Sequence, residues 1–147
     1  VDTLLITLYE TYEPVCMKQN LELKLHLSEE SYPAMLTDKD RLFQILCVFM
    51  DNAIQHSKNN SLIEIEVIAT EKNIAFSVAD HGQGISDEDK QYIFDRFYSG
   101  DKSHTNKSNF GLGLSIAKEL TQMLNGTITI NDTAGGGATF TVKFPLK

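Results

Sequence analysis

Tryptophan is absent from this chain of 147 residues, cysteine occurs twice and proline three times. The two thiols, Cys16 and Cys47, stand far apart with no CxxC spacing and no neighbouring His/Cys cluster, which excludes a zinc ribbon or a disulfide-stapled scaffold. They read as packing thiols of a reducing compartment. Long apolar runs are missing as well: the longest unbroken one is Ile45 to Met50, far short of the ~20 residues of a membrane span. Nothing at the start resembles a secretory signal. Basic residues are the minority, 13 Lys and Arg against 20 Asp and Glu, giving a formal charge of -7. Binding to a nucleic-acid backbone draws on clustered cations, so nucleic acid is excluded as the main partner. A small anion held locally is not.

What is present suits one globular domain over residues 1–147, with 41% hydrophobic residues to supply a core. Leu4, Leu5, Leu8, Tyr12, Val15 and Cys16 fall on one helical face over residues 2–18, a pattern that Pro14 disturbs. Leu21, Leu23, Leu25 and Leu27 alternate with polar residues as a half-buried strand does. Asp38 is placed to cap a helix running to about Ser57. Strands follow near 62–69 and 74–80, then a short helix from Asp87 to Arg96 and a polar stretch without apolar period that reads as a loop or lid. GLGLSIAKELTQML is a second long helix, stopped by Asn125-Gly126. Strands at 127–131 and 138–144 flank the turn-forming DTAGGGA. The hairpin connections are too short for crossovers, so the fold class expected is α+β, a two-layer sandwich of a mixed sheet on helices.

Three stretches carry chemistry. Asn52, in QILCVFMDNAIQHS, sits at the edge of the buried stripe of its helix, where an unpaired amide costs about 1–3 kcal/mol. In SVADHGQGIS a run of strand formers ends in Asp80 and breaks into Gly82-Gln-Gly84, a backbone shape that asks for something close to the chain. Alone, Asp80 reads equally as a turn residue before glycine. Gly111-Leu-Gly113-Leu opens a helix, where exposed N–H groups and the dipole favour an anion, or where a plain hinge would do. Neither glycine pair completes GxGxxG and GxxxxGK[ST] is absent, which disfavours Rossmann and P-loop sites.

Asn52, DHGQGI, IFDRFYSGDKS, FGLGLSIAKEL and GGGATFTVKFP follow one another in the order of the N, G1, F, G2 and G3 boxes. Over residues 36–146 the sequence thereby resembles the ATP-binding catalytic domain of sensor histidine kinases, of the Bergerat-fold group that includes gyrase, the heat-shock chaperone and mismatch-repair ATPases. The resemblance implies ATP and Mg²⁺ as cofactors. It implies that Asp80 accepts from the adenine amino group with Thr139 assisting through water, and that Gly82, Gly84 and Ile85 lie against the base. Asn52 is implied as the Mg²⁺ ligand, and Gly111, Gly113 and Leu114 as backbone donors to the phosphates under a lid of residues 99–110. Arg96, and Lys102 from the lid, are implied as phosphate-neutralising cations, and His56 as a ring near the adenine. Phe94 and Phe97 are expected in the core.

The sequence departs from the family pattern at several places. Val48 stands where hydrolytic relatives carry a water-activating Glu, which speaks against self-standing hydrolysis. Gln55 replaces a frequent Lys, and Ser108, Asn109 and Phe110 replace further glycines. None of His26, His56, His81 or His104 lies in an acceptor-histidine context. The expected partners are therefore a separate dimerisation and phosphoacceptor domain of the same protein and a downstream response regulator. Location on the cytoplasmic side of a membrane sensor is implied, the membrane being met only through the rest of the protein. A nucleotide-binding adaptor with weak catalysis and an anti-sigma-type serine kinase are the alternatives.

Overall fold

A computed structural model of the chain describes residues 1–27, 32, 33, 35, 37–94 and 111–146. The order of elements is α1 (Asp2–Lys18), β1 (Glu22–His26), α2 (Lys39–His56), β2 (Leu62–Ala69), β3 (Asn73–Ala79), α3 (Asp87–Lys90), α4 (Gly111–Met123), β4 (Thr127–Asp132) and β5 (Ala138–Pro145). The strands form one sheet in the order β1-β2-β3-β5-β4. β1 runs parallel to β2 and every other neighbouring pair is antiparallel, so the sheet is mixed as expected. α1, α2 and α4 pack on one face of it, completing the two-layer α+β sandwich.

Local chemistry accounts for the main helix ends. The Asp38 carboxylate accepts from the backbone N–H of Asp40 and Arg41 at 3.1 and 3.2 Å, satisfying two of the donors that a helix start leaves open. At the far end of α4, Asn125 takes the left-handed conformation (φ 63°). The N–H of Gly126 returns to the Thr121 carbonyl and that of Asn125 to Gln122, the paired bonds of a Schellman stop. α1 continues through Pro14 despite the lost hydrogen bond. Its buried residues Leu5, Leu8, Tyr12 and Cys16 offset that loss by packing against α2 and β1. The Tyr12 hydroxyl also donates to Asp51 on α2 at 2.8 Å. Burial first, and the Asp51 bond second, push that hydroxyl far above its usual range, so it remains a donor.

Alternation sets the core on one side of the sheet. Ile63, Ile65 and Val67 of β2, Ile74, Phe76 and Val78 of β3, and Phe140, Val142 and Phe144 of β5 face the helices. Phe49 of α2 meets Phe140 with ring centroids 5.5 Å apart. Val15 and Leu27, both expected on buried faces, are exposed by 38% and 45%. Leu27 lies past the last β1–β2 pair, His26 with Glu66, where no strand among the described residues pairs with it. The short helix expected from Asp87 to Arg96 is a single turn, α3, capped by the Ser86 hydroxyl, followed by turn residues to Phe94. Its expected end lies outside the described residues.

Replacing Asp38 by Ala should lower stability by about 0.5–2 kcal/mol in urea denaturation while Asp38→Ser loses much less. Equal losses would remove the side-chain cap as the cause.

Candidate functional site

The end of β3 feeds directly into the site. Asp80 continues the ladder by donating its N–H to the Ala138 carbonyl at 3.0 Å, and is 2% exposed. Its Oδ1 accepts two backbone N–H bonds, from Gly82 at 3.0 Å and from Ala138 at 3.2 Å. Among the described residues no donor meets Oδ2. Burial pushes the carboxyl above its usual range. The Gly82 and Ala138 donors and the neighbouring His56 and His81 pull in the other direction without cancelling the effect.

Two close approaches hold this turn. A Cβ on Gly82 would run into the His56 carbonyl at the end of α2. A Cβ on Gly137, whose φ is +115°, would run into the backbone of Asp80. Gly84 (φ +79°) stacks against the Gly137 carbonyl, and half-buried Ile85 packs on the core. The Asp80–Gly84 turn is thereby sandwiched between α2 and the β4–β5 turn. On the outside Lys90 ties α3, which follows that turn, to the end of β4, with its ammonium 3.1 Å from Asp87 and 2.8 Å from Asp132.

Asn52, on the facing turns of α2, is 6% exposed and makes no hydrogen bond among the described residues. His56 is half-buried, its carbonyl against Gly82. Gly111 and Gly113 open α4, and the position of a Cβ on Gly113 lies 3.6 Å from Val48 Cγ1 on α2. The first turn of α4 therefore lies across from the helix that carries Asn52. Leu114 is 1% exposed, so its side chain belongs to the core and only its backbone is left for a ligand. Among the described residues no group of three His, Cys, Asp or Glu side chains could hold a metal, and the amide of Asn52 is an oxygen donor on the α2 side of the site.

Thr139 requires a correction. Strand alternation turns it away from the helix face that Ala138 and Phe140 share, and its hydroxyl lies 2.9 Å from that of Thr133. The β5 group that reaches Asp80 is the Ala138 N–H, a backbone donor that no side-chain pattern announces. Gly137 was legible only as one of three turn glycines. Arg96, Lys102, Phe97 and the lid of residues 99–110 lie outside the described residues.

Residues 37–147 match the family model of histidine kinase-, DNA gyrase B-, and HSP90-like ATPases. The chain belongs to that ATPase family. Among its relatives, the sensor protein CiaH of Streptococcus pneumoniae is 36% identical over 142 residues, covering 96% of this chain and 32% of CiaH. The histidine-protein kinase ArlS of Staphylococcus haemolyticus is 37% identical over 124 residues, 84% of this chain and 27% of ArlS. The chain thus spans about a third or less of these relatives' length. The catalytic domain of histidine kinase ThkA superposes with a TM-score of 0.84 at 25% identity, covering 99% of this chain and 91% of that one. Full-length ShkA in complex with AMPPNP superposes at 0.83 with 28% identity, over 96% of this chain and 29% of that one.

Within this family the raised Asp80 pKa has a definite sign for stability. A carboxyl whose folded-state pKa lies above its unfolded value contributes stability that is full below the ordinary value of 3.8 and is lost as pH rises through the raised one. Asp80→Asn, which keeps an oxygen for the two N–H bonds, should therefore gain stability relative to the parent chain as pH rises from about 4 to about 7. Thermal melts across that range check it, and a parallel pair of curves would contradict it.

Proposed function

We propose that this chain binds Mg-ATP and passes the γ-phosphoryl group to a histidine on the dimerisation domain of a full-length sensor kinase, from which a response regulator receives it. The observation that carries the reading is the buried Asp80 carboxylate. Its Oδ1 is fully engaged by backbone N–H groups while Oδ2 is left for a donor. An adenine amino group is such a donor, and in a site withdrawn from water that single bond is strengthened. Guanine offers a carbonyl at the same place, setting acceptor against acceptor, so the site favours ATP over GTP. Gly82, Gly84 and Ile85 form the wall beside the base, and half-buried His56 closes the α2 side.

The phosphates then extend toward α2 and the start of α4. Gly111, Gly113 and Leu114 offer backbone donors there and the helix dipole favours the negative charge. The unbonded amide of Asn52 fits Mg²⁺, a hard ion that takes few protein oxygens and completes its shell with phosphate and water. Bound there, Mg²⁺ supplies charge neutralisation for the phosphates. Arg96 and Lys102 are proposed as further cations on the terminal phosphate.

Transfer is favoured over hydrolysis by Val48. It packs toward Gly113 at the place where an acidic side chain would activate water, and an aliphatic group can neither orient water nor take its proton. Positioning and charge stabilisation are what phosphoryl transfer asks of a protein, and this site supplies both. Among the described residues no helix is long and apolar enough to cross a membrane. The chain is assigned to the cytoplasmic side of a sensor whose membrane part lies elsewhere in the protein.

Calorimetric titration with Mg-ATP should give measurable binding that Asp80→Asn weakens by at least about tenfold, the cost of losing a charge-assisted bond in a buried site. Binding unaffected by that substitution would overturn the adenine assignment. With labelled ATP the chain alone should acquire no stable phosphohistidine, whereas an added acceptor domain should. ATP binding without transfer to that domain would favour the adaptor reading.

A further inference from the structure

The Asp80–Gly82 turn is blocked on the α2 side by the His56 carbonyl and on the hairpin side by Gly137. Its third side faces the outer surface of the sheet, where neither helix nor loop glycine confines it. There His81 lies with Nε2 3.1 Å from Glu64 Oε1 on β2, while His26 on β1 places its Nε2 2.8 Å from Oε2 of the same carboxylate. Glu64 stands opposite Ala79 in the β2–β3 register, one residue before Asp80. Both oxygens of one side chain are thus occupied by rings from two different strands' ends, and the side chains of Glu64 and His81 are each 30% exposed. The bonds from His81 first and His26 second hold the Glu64 carboxyl below its usual range, so it is ionised wherever the fold is intact near neutral pH.

We propose that Glu64 is a positioning residue for the nucleotide: by gripping His81 it fixes the turn that presents the Asp80 carboxylate, and His26 fixes Glu64 in turn. The inference rests on the reading of Asp80 as the base-recognising group. Its physical content is that Oδ1 of Asp80 depends on the N–H of Gly82, and the peptide that carries that N–H is anchored by the ring of His81. Releasing His81 lets this peptide rock about the two glycine contacts, which loosens the aim of Oδ2 without opening the core. The effect acts at the base end of the ligand and is therefore the same whatever the phosphates are doing.

Glu64→Ala, His81→Gln and the double variant of this 147-residue chain should be titrated with ATP and ADP, with and without Mg²⁺. Each single variant is expected to bind both nucleotides about two- to fivefold more weakly, the scale of a partly exposed side-chain hydrogen bond, by the same factor with or without the metal. The double variant is expected to be no weaker than either single one, since both remove one interaction. The ligand-free melting temperature should stay within about 2 °C of the parent, while the rise produced by ATP shrinks. Wild-type affinity in the single variants, additive losses in the double, or a loss confined to Mg-ATP would overturn the proposal and leave the adenine site standing. A parent chain that binds no adenine nucleotide would overturn both.

Discussion

A buried carboxylate at the end of a central strand is the constraint on which the rest of this structure depends. Asp80 sits where β3 leaves the sheet, with one oxygen held by the N–H groups of Gly82 and Ala138. An ionisable group so withdrawn from water is tolerated only when its bonds are directional and fixed. The fold meets that condition by pairing β3 with β5, which brings Ala138 alongside, and by bending the chain so that Gly82 donates back two residues. Both donors are backbone groups, one from β5 and one from the turn that follows β3.

That arrangement leaves almost no tolerance around it. The His56 carbonyl on one side and the Asp80 backbone on the other lie where side chains at 82 and 137 would need space. The same compactness carries a thermodynamic cost: burial raises the Asp80 pKa, so the ionised form that suits a hydrogen-bond donor is the form the fold holds less readily. Asn52, 6% exposed, lies at the same end and makes no hydrogen bond among the described residues. Groups that a core would exclude gather at one end of the sandwich, as at sites built for a ligand.

Several elements were readable from the chain because their causes are local. Asp38 caps α2 through its own next residues, and Asn125-Gly126 ends α4 through bonds reaching back a single turn. β2, β3 and β5 lie on the stretches expected as strands at 62–69, 74–80 and 138–144. The ordered boxes around Asn52, Asp80 and Gly111 led to the ATPase family, which the match over residues 37–147 bears out. Pro14 misled in the other direction, since packing of Tyr12 and Cys16 outweighs its missing hydrogen bond.

Other features depend on which strand lies beside which. The parallel pairing of β1 with β2 joins segments separated by the whole of α2, and no local pattern encodes it. The resemblance implies a role for the Thr139 hydroxyl, yet the register of β5 against β3 and β4 sends that hydroxyl to Thr133 and sets the Ala138 N–H against Asp80. The grip of Glu64 on His26 and His81 likewise needs three strand ends brought together. The sequence by itself determined the long helices and the positions of the strands, because caps and alternation act over a few residues. The tertiary structure alone decided which backbone donors the groups at the site meet, because strand order and register place residues remote in the chain within hydrogen-bonding distance.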